Sequence, residues 1–101
     1  MSEFRIFETE EFEKKLCKLD ARAARFVCQK LTEYVYPLLC SDPFHGPNIK
    51  KLKGYDPAIW RYRIGKFRVF FMVDQTERIV FMLSIDHRRD AYRRSSFRRA
   101  L

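Results

Sequence analysis

Apolar residues keep two different rhythms along this chain, helical in its first part and extended from about residue 59 onward. Phe4 and Ile6 alternate around Arg5 as a short strand does, and Thr9 followed by Glu10 and Glu11 offers an N-cap with acids in the first turn. The helix so predicted carries Phe12, Leu16 and Leu19 on one side. Asp20 caps a second, longer helix in which Ala24, Val27, Leu31, Tyr34 and Leu38 recur at helical spacing, while Pro37 bends it or ends it early. Between residues 40 and 56, Pro43, Gly46, Pro47 and Gly54 predict mostly loop, interrupted by the basic run Lys50-Lys51-Leu52-Lys53, and this is the one plausible hinge. Residues 59–64, 67–73 and 79–85 are rich in Val, Ile, Phe and Tyr and separated by turn signals, so they predict three antiparallel strands in a meander. The last stretch, 90–101, is mostly Arg, Ser and Ala and predicts a short helix that docks weakly through Tyr92 and Phe97.

The expected fold is therefore α+β. An N-terminal strand and a helix hairpin pack on one face of a mainly antiparallel twisted sheet, and a short C-terminal helix follows. At 101 residues the chain forms one domain, residues 1–101, long enough to bury roughly two-thirds of its unfolded surface. A hydrophobic content of 47% with only 3 Gly and 4 Pro excludes a disordered or fibrous chain.

Gly65-Lys66 forms a two-residue Gly-X loop between two strands, and such a type II′ turn fixes the register: Ile64 faces Phe67, and Arg63 faces Arg68. Alternation then puts Arg61, Arg63 and Arg68 on one face of the sheet and Trp60, Tyr62, Ile64, Phe67, Val69 and Phe71 on the other, toward the helices. Like charges directly across a strand pair are destabilising. Two readings of Arg63 opposite Arg68 stay open: a pair splayed into water or neutralised by Glu77 or Asp86, and a phosphate clamp, since guanidinium binds phosphate bidentately and keeps its charge. Phe70, on the face of Arg61, would offer a ring on which a base could stack.

Charge sharpens this. The net charge is +8, but residues 1–47 hold seven Lys/Arg against eight Asp/Glu, a balance of −1, and residues 48–101 hold fourteen against five, a balance of +9. So one-sided a field points to a polyanion, with nucleic acid first and an acidic protein second. Nothing approaches the ~20 apolar residues of a membrane helix, and the first residues lack the basic and apolar regions of a signal peptide, so a cytoplasmic protein without membrane contact is expected. Cys17, Cys28 and Cys40 form no CxxC pair, and buried free thiols are expected rather than a metal site. Just past the third strand lies Ser84-Ile85-Asp86-His87-Arg88-Arg89-Asp90-Ala91-Tyr92, where neighbouring cations keep His87 neutral and able to accept a proton.

These segments together resemble the RelE branch of the RelE/ParE toxin superfamily. The resemblance spans nearly the whole chain and rests on Leu52-Lys53-Gly54, Trp60-Arg61-Tyr62-Arg63-Ile64-Gly65-Lys66-Phe67-Arg68 and Ile85-Asp86-His87-Arg88-Arg89-Asp90-Ala91-Tyr92. It implies a sheet flanked by helices and a toxin of a type II toxin–antitoxin system that cuts mRNA in the ribosomal decoding site, with ribosome, mRNA and a cognate antitoxin as partners. The implied chemistry is metal-independent and without cofactor: attack of the ribose 2′-hydroxyl on the adjacent phosphate, giving a 2′,3′-cyclic phosphate. Arg61 and Arg63 stand where members carry lysines, Arg68 matches their strand arginine, Arg88 the arginine after the last strand, and Tyr92 approximates their terminal tyrosine. Arginine does not give up its proton, so Arg61 and Arg63 cannot serve as general base as lysine might, and His87, then Tyr92, is expected in that role. Lys50, Lys51, Lys53, Phe70 and Arg89 are expected to contact RNA. The alternatives are a ParE-like toxin that inhibits gyrase without nuclease activity, and a non-enzymatic module binding an acidic partner.

Overall fold

The computed structural model describes residues 3–90. β1 (Arg5–Glu8) leads into α1 (Glu10–Cys17) and α2 (Ala21–Lys30), then through a π-helical segment, Leu31–Val35, into α3 (Tyr36–Ser41). β2 (Ile49–Lys51), β3 (Trp60–Ile64), β4 (Phe67–Asp74) and β5 (Ile79–His87) follow. The five strands form one sheet in the order β1-β5-β4-β3-β2, antiparallel except for the outer pair β1 and β5, which is parallel. The helix expected over 90–101, with Tyr92 and Phe97, falls on 91–101, outside the described residues.

Both N-caps form. The Thr9 hydroxyl accepts from Phe12 N at 3.3 Å and donates to the Met82 carbonyl at 2.7 Å, tying the start of α1 to β5. Asp20 accepts from Ala23 N at 2.9 Å, a cap worth about 1 kcal/mol. Phe12, Val27, Leu31, Val35 and Leu39 from the helices meet Tyr62, Ile64, Val69, Phe71, Val80, Met82 and Ile85 from one sheet face in the main core. Trp60 and Phe67 pack against it, so the face expected to meet the helices does so.

Two expectations about the long helix are corrected. The i→i+5 turns of the π segment shift its phase, so Val35 and Leu39 point inward while Tyr34, expected inside, is 57% exposed. Pro37 does not end the helix early: the π segment runs directly into α3, Pro37 sits in the first turn of α3, and the chain stays helical to Ser41. Tyr36 donates to Glu8 Oε2 at 2.5 Å, and burial together with that carboxylate pushes the phenol well above its ordinary range. The loop expected over 40–56 contains a strand, because Lys50 and Lys51 pair with Arg61 and Trp60. The thiols are free, but Cys17 and Cys28 lie on exposed helix faces and only Cys40 is half-buried.

The second sheet face also departs from expectation. Ile59, Phe70 and Leu83 form a second buried cluster, with Leu52, Tyr55, Met72 and Phe81 packed on it. Residues 52–59 thus cover part of the face that alternation assigned to charge. A bulge contributes: Phe70 faces Ser84 but Phe71 faces Met82, leaving Leu83 as the extra residue in β5.

Candidate nucleic-acid interface

The β3–β4 turn sets up the cationic end of the sheet. Gly65 has φ +55° and Lys66 is not left-handed, as a type II′ turn requires, and the resulting register puts Ile64 against Phe67 and Arg63 against Arg68. Arg61 follows one step back, opposite Phe70 on β4 and Lys50 on β2. The exit from β5 is fastened to the same turn, since Arg88 N donates to the Lys66 carbonyl at 2.7 Å. Arg63, Lys66, Arg68, Arg88 and Arg89 therefore gather at one end of the sheet, with Arg61 and Lys50 behind them.

What holds these groups is mostly neutral oxygen. Asn48 bridges two of them: its carbonyl accepts from Arg63 N at 3.0 Å and from Arg61 Nη2 at 3.5 Å, and its Oδ1 accepts from Arg63 Nη2 at 3.4 Å. Arg68 Nη1 donates to the carbonyls of Gly65 at 2.9 Å and Phe67 at 3.0 Å. Among the described residues neither Arg61 nor Arg63 pairs with a carboxylate. Arg61 Nε is buried with no hydrogen-bond partner among them. A buried donor left unmade costs about 1–3 kcal/mol and more when charged, so the Nε–H of this half-buried residue is held out of water without an acceptor among the described residues. On the far side of Arg68 stands Asp86, in register on β5, so one of the two acids considered as neutralisers is at hand and the other, Glu77, is in the β4–β5 turn.

Several expected contributors are placed elsewhere. Phe70 is 0% exposed inside the second cluster and presents no ring to a base, which corrects the stacking role expected of it. Lys51 lies in register with Trp60, on the helix side, with its ammonium 5.9 Å from the indole ring. Lys53 is exposed in the segment that covers the second cluster. His87 faces Phe67, ring edge to face at 5.8 Å, so strand alternation puts it on the side opposite Arg63 and Arg68. Its Nδ1 accepts from Arg89 N at 3.1 Å. Partial burial first, then the charges of Arg89 and Arg88, hold its pKa below the ordinary value, with Asp90 opposing and Lys66 adding a little. The ring is therefore neutral near pH 7, but its free lone pair is engaged and Nε2 carries the hydrogen. Tyr92 lies outside the described residues.

Three contributors carried little sequence signal. Asn48 sits in the Pro/Gly loop. Phe26 and Tyr34 are exposed rings that, with Lys30, Asn48 and Arg63, line a groove of about 480 Å³ among the described residues. The Lys30 ammonium stands 5.8 Å from the first ring and 4.9 Å from the second.

Comparison with known proteins agrees with this fold. Residues 6–92 match the family profile described as the ParE toxin of the type II toxin–antitoxin system parDE. A RelE1 toxin candidate of Methanocaldococcus jannaschii is 46% identical over 46 residues, which are 46% of this chain and 50% of that protein, so the match spans about half of it. A mutant of the Escherichia coli toxin RelE in the free state superposes with a TM-score of 0.67 at 22% identity, over 99% of this chain and 95% of that one. The archaeal RelE from the RelE–RelB complex of Pyrococcus horikoshii does so with a TM-score of 0.65 at 21% identity, over 87% and 97%.

Proposed function

The chain belongs to the RelE/ParE superfamily of toxins from type II toxin–antitoxin systems, and on that premise we propose that it is a ribosome-dependent endoribonuclease that cuts mRNA and arrests translation. The observation that carries this reading is the group Arg61, Arg63 and Arg68 on one sheet face, the first two held by neutral oxygens and left without a carboxylate among the described residues. Cross-strand repulsion between Arg63 and Arg68 costs stability, and an RNA phosphate repays it.

In the reaction proposed, the ribose 2′-oxygen attacks the adjacent phosphorus and the bond to the 5′-oxygen breaks. The products are a 2′,3′-cyclic phosphate and a 5′-hydroxyl end. The nucleophile is internal to the RNA, so the chemistry needs no metal. Arg61, Arg63 and Arg68, joined by Arg88 from the strand exit, stabilise the charge that develops on the phosphoryl oxygens. Net, the 2′-hydroxyl proton ends on the leaving 5′-oxygen by way of solvent, and none of the arginines relays it, because guanidinium stays protonated. Lys50 and Arg89 extend the backbone track on either side, and Phe26 and Tyr34 offer the aromatic surface that Phe70 does not. The protein works in the cytoplasm, and its second partner is a cognate antitoxin, as RelB is for RelE in the Pyrococcus horikoshii complex.

Mapping of mRNA 5′ ends after induction in a bacterial host tests this. New ends at a fixed phase within codons are expected. Double-strand DNA breaks without phased ends would instead identify a gyrase-directed toxin, and harmless expression a binding module.

His87→Gln separates proton transfer from charge stabilisation. Since His87 faces away from the arginines, the variant is expected to cut mRNA on programmed ribosomes within about threefold of the parent. It should also change the pH dependence of stability. A depressed folded pKa means that the unfolded chain takes up the proton first as pH falls. Stability then rises with pH through the window from the folded value up to the ordinary histidine value. Urea midpoints at pH 5 and pH 7 should lie closer together in His87→Gln than in the parent.

A further inference from the structure

Phe26, Lys30 and Tyr34 follow one another at four-residue steps along one ridge that runs from α2 into the π-helical segment. Regular periodicity would turn Tyr34 toward the core. The π turn leaves it 57% exposed instead, and Phe26 is 41% exposed, with the Lys30 ammonium 4.9 Å from the Tyr34 ring and 5.8 Å from the Phe26 ring. A single exposed ring is ordinary on a protein surface. Two rings gathered about one ammonium and lining a groove of about 480 Å³ are not, and π turns occur often at functional sites. That volume falls within the range of small-ligand clefts, about 300–1,000 Å³. The rest of the lining comes from β3 and the turn after it. Phe26 rests against that turn, since a Cβ added to Gly65 would stand 3.4 Å from its Cε2. Arg63, which faces Arg68 across the strand pair, also lines the groove, so groove and arginine row share a side chain. Asn48 adds a donor. Its Oδ1 accepts from Arg63 Nη2 at 3.4 Å, and because guanidinium only donates, the amide is fixed with its NH2 on the other side, where it donates to nothing among the described residues.

We propose that this groove is a nucleobase site: the base next to a phosphate held at Arg63 stacks on the rings of Phe26 and Tyr34, with Lys30 on the RNA backbone and the Asn48 amide donating to the base edge. The inference rests on the mRNA-cleavage reading for the identity of the nucleic acid, and deepens it by giving a base its place beside the phosphate. Every base has a π face, so ring stacking serves any sequence, but it needs a base that is not already stacked, as in a single strand. An acidic protein segment would match the two cations equally well, yet it calls only for apolar surface here and not for aromatic faces. Leucine in place of either ring separates the two occupants, because it keeps apolar contact and removes the π face. Salt separates stacking from charge, because a ring contact releases no counterions.

The experiment is fluorescence anisotropy of a short fluorescein-labelled single-stranded RNA, titrated with the full chain across a potassium chloride series, beside a duplex of the same sequence. Phe26→Leu and Tyr34→Leu should each weaken single-strand binding at least about fivefold, with the log–log salt slope unchanged. Tyr34→Phe keeps the ring and should bind within about twofold of the parent. Lys30→Gln should instead make the salt slope shallower by about 0.7. Binding of the duplex, whose bases are already stacked, should fall less than about twofold in the leucine variants. Phe7→Leu removes another exposed ring, 53% exposed on β1 at the opposite edge of the sheet, and should bind the single strand as the parent does. Circular dichroism melts establish that each variant is folded, and if Phe26→Leu is not, Tyr34→Leu decides, since its side chain stands mostly in solvent. Parental single-strand affinity in the leucine variants gives the groove to an apolar protein segment and overturns the proposal. An equal loss in Phe7→Leu, an equal loss on the duplex, or a parent that binds no single strand overturns it too. Phased mRNA ends from the parent together with unaffected leucine variants overturn this inference alone, whereas ring-dependent binding of RNA without phased ends overturns the nuclease reading and leaves the base site standing.

Discussion

Arg68→Ala is expected to slow mRNA cleavage on programmed ribosomes by about 10²–10³-fold, the usual loss when one preorganised donor to a developing negative charge is removed. Arg68 is central to the cationic row, with Arg63 on one side and Asp86 on the other, and its Nη1 is steadied by the carbonyls of Gly65 and Phe67. Stability should change far less than activity. The two hydrogen bonds to the turn are worth about 1 kcal/mol each. Relief of the Arg63 repulsion returns up to about 1 kcal/mol. A net loss of about 1 kcal/mol lowers the melting temperature by roughly 4–8 °C in a domain of this size. Arg68→Lys keeps the charge but not the planar fork, and should recover part of the rate, to about tenfold below the parent. Arg68→Ala cutting within about threefold of the parent would remove the clamp from the chemistry.

That the arginine pair was legible in the sequence comes down to a two-residue loop. Gly65-Lys66 leaves one pairing for the flanking strands, so Arg63 opposite Arg68 follows from local geometry alone. The caps at Thr9 and Asp20 were legible for the same reason, since each needs only a side chain and an amide three residues on. What escaped depends on contacts between distant segments. The phase of the long helix beyond Leu31 is reset by the π segment, which exchanges Tyr34 for Val35 at the core, and regular periodicity carries no sign of that step. Lys15 and Asp86 are 71 residues apart, and their pairing needs α1 to lie against β5. Ser84 and Asp86 did leave a trace, as polar residues near the end of a strand that is apolar from Ile79 to Leu83. The stretch Val69-Phe70-Phe71-Met72-Val73 left another: an unbroken apolar run marks a strand buried on both faces, where alternation alone would expose every second residue.

Phe70 turns that last signal into a measurable difference. Phe70→Ala is expected to lower stability by about 3–5 kcal/mol, the usual cost of emptying a buried phenyl site. Domains of this kind hold about 5–15 kcal/mol in all, so much of the margin would go. The ring is fully buried with Ile59 and Leu83, under a cover that includes Leu52 and Tyr55, and the chain from 52 to 59 has to stay in place for the cavity to persist. If that segment collapses onto the gap, the loss falls toward the lower figure. Phe70→Leu retains most of the apolar volume and should cost less than about 1.5 kcal/mol. Urea midpoints of the three proteins measure these differences directly. A ring standing free to stack on RNA would give the reverse pattern, with stability within about 0.5 kcal/mol of the parent and a large loss of RNA binding. The buried position also ties the second cluster to the arginines of the same sheet face, because Arg61 lies directly opposite Phe70 across the β3–β4 pair. In Phe70→Ala the strand under Arg61 loses its packing, so cleavage at a temperature where the variant is still folded should fall through a poorly held guanidinium. Phe70→Leu, which keeps that support, should cut mRNA at nearly the parent rate.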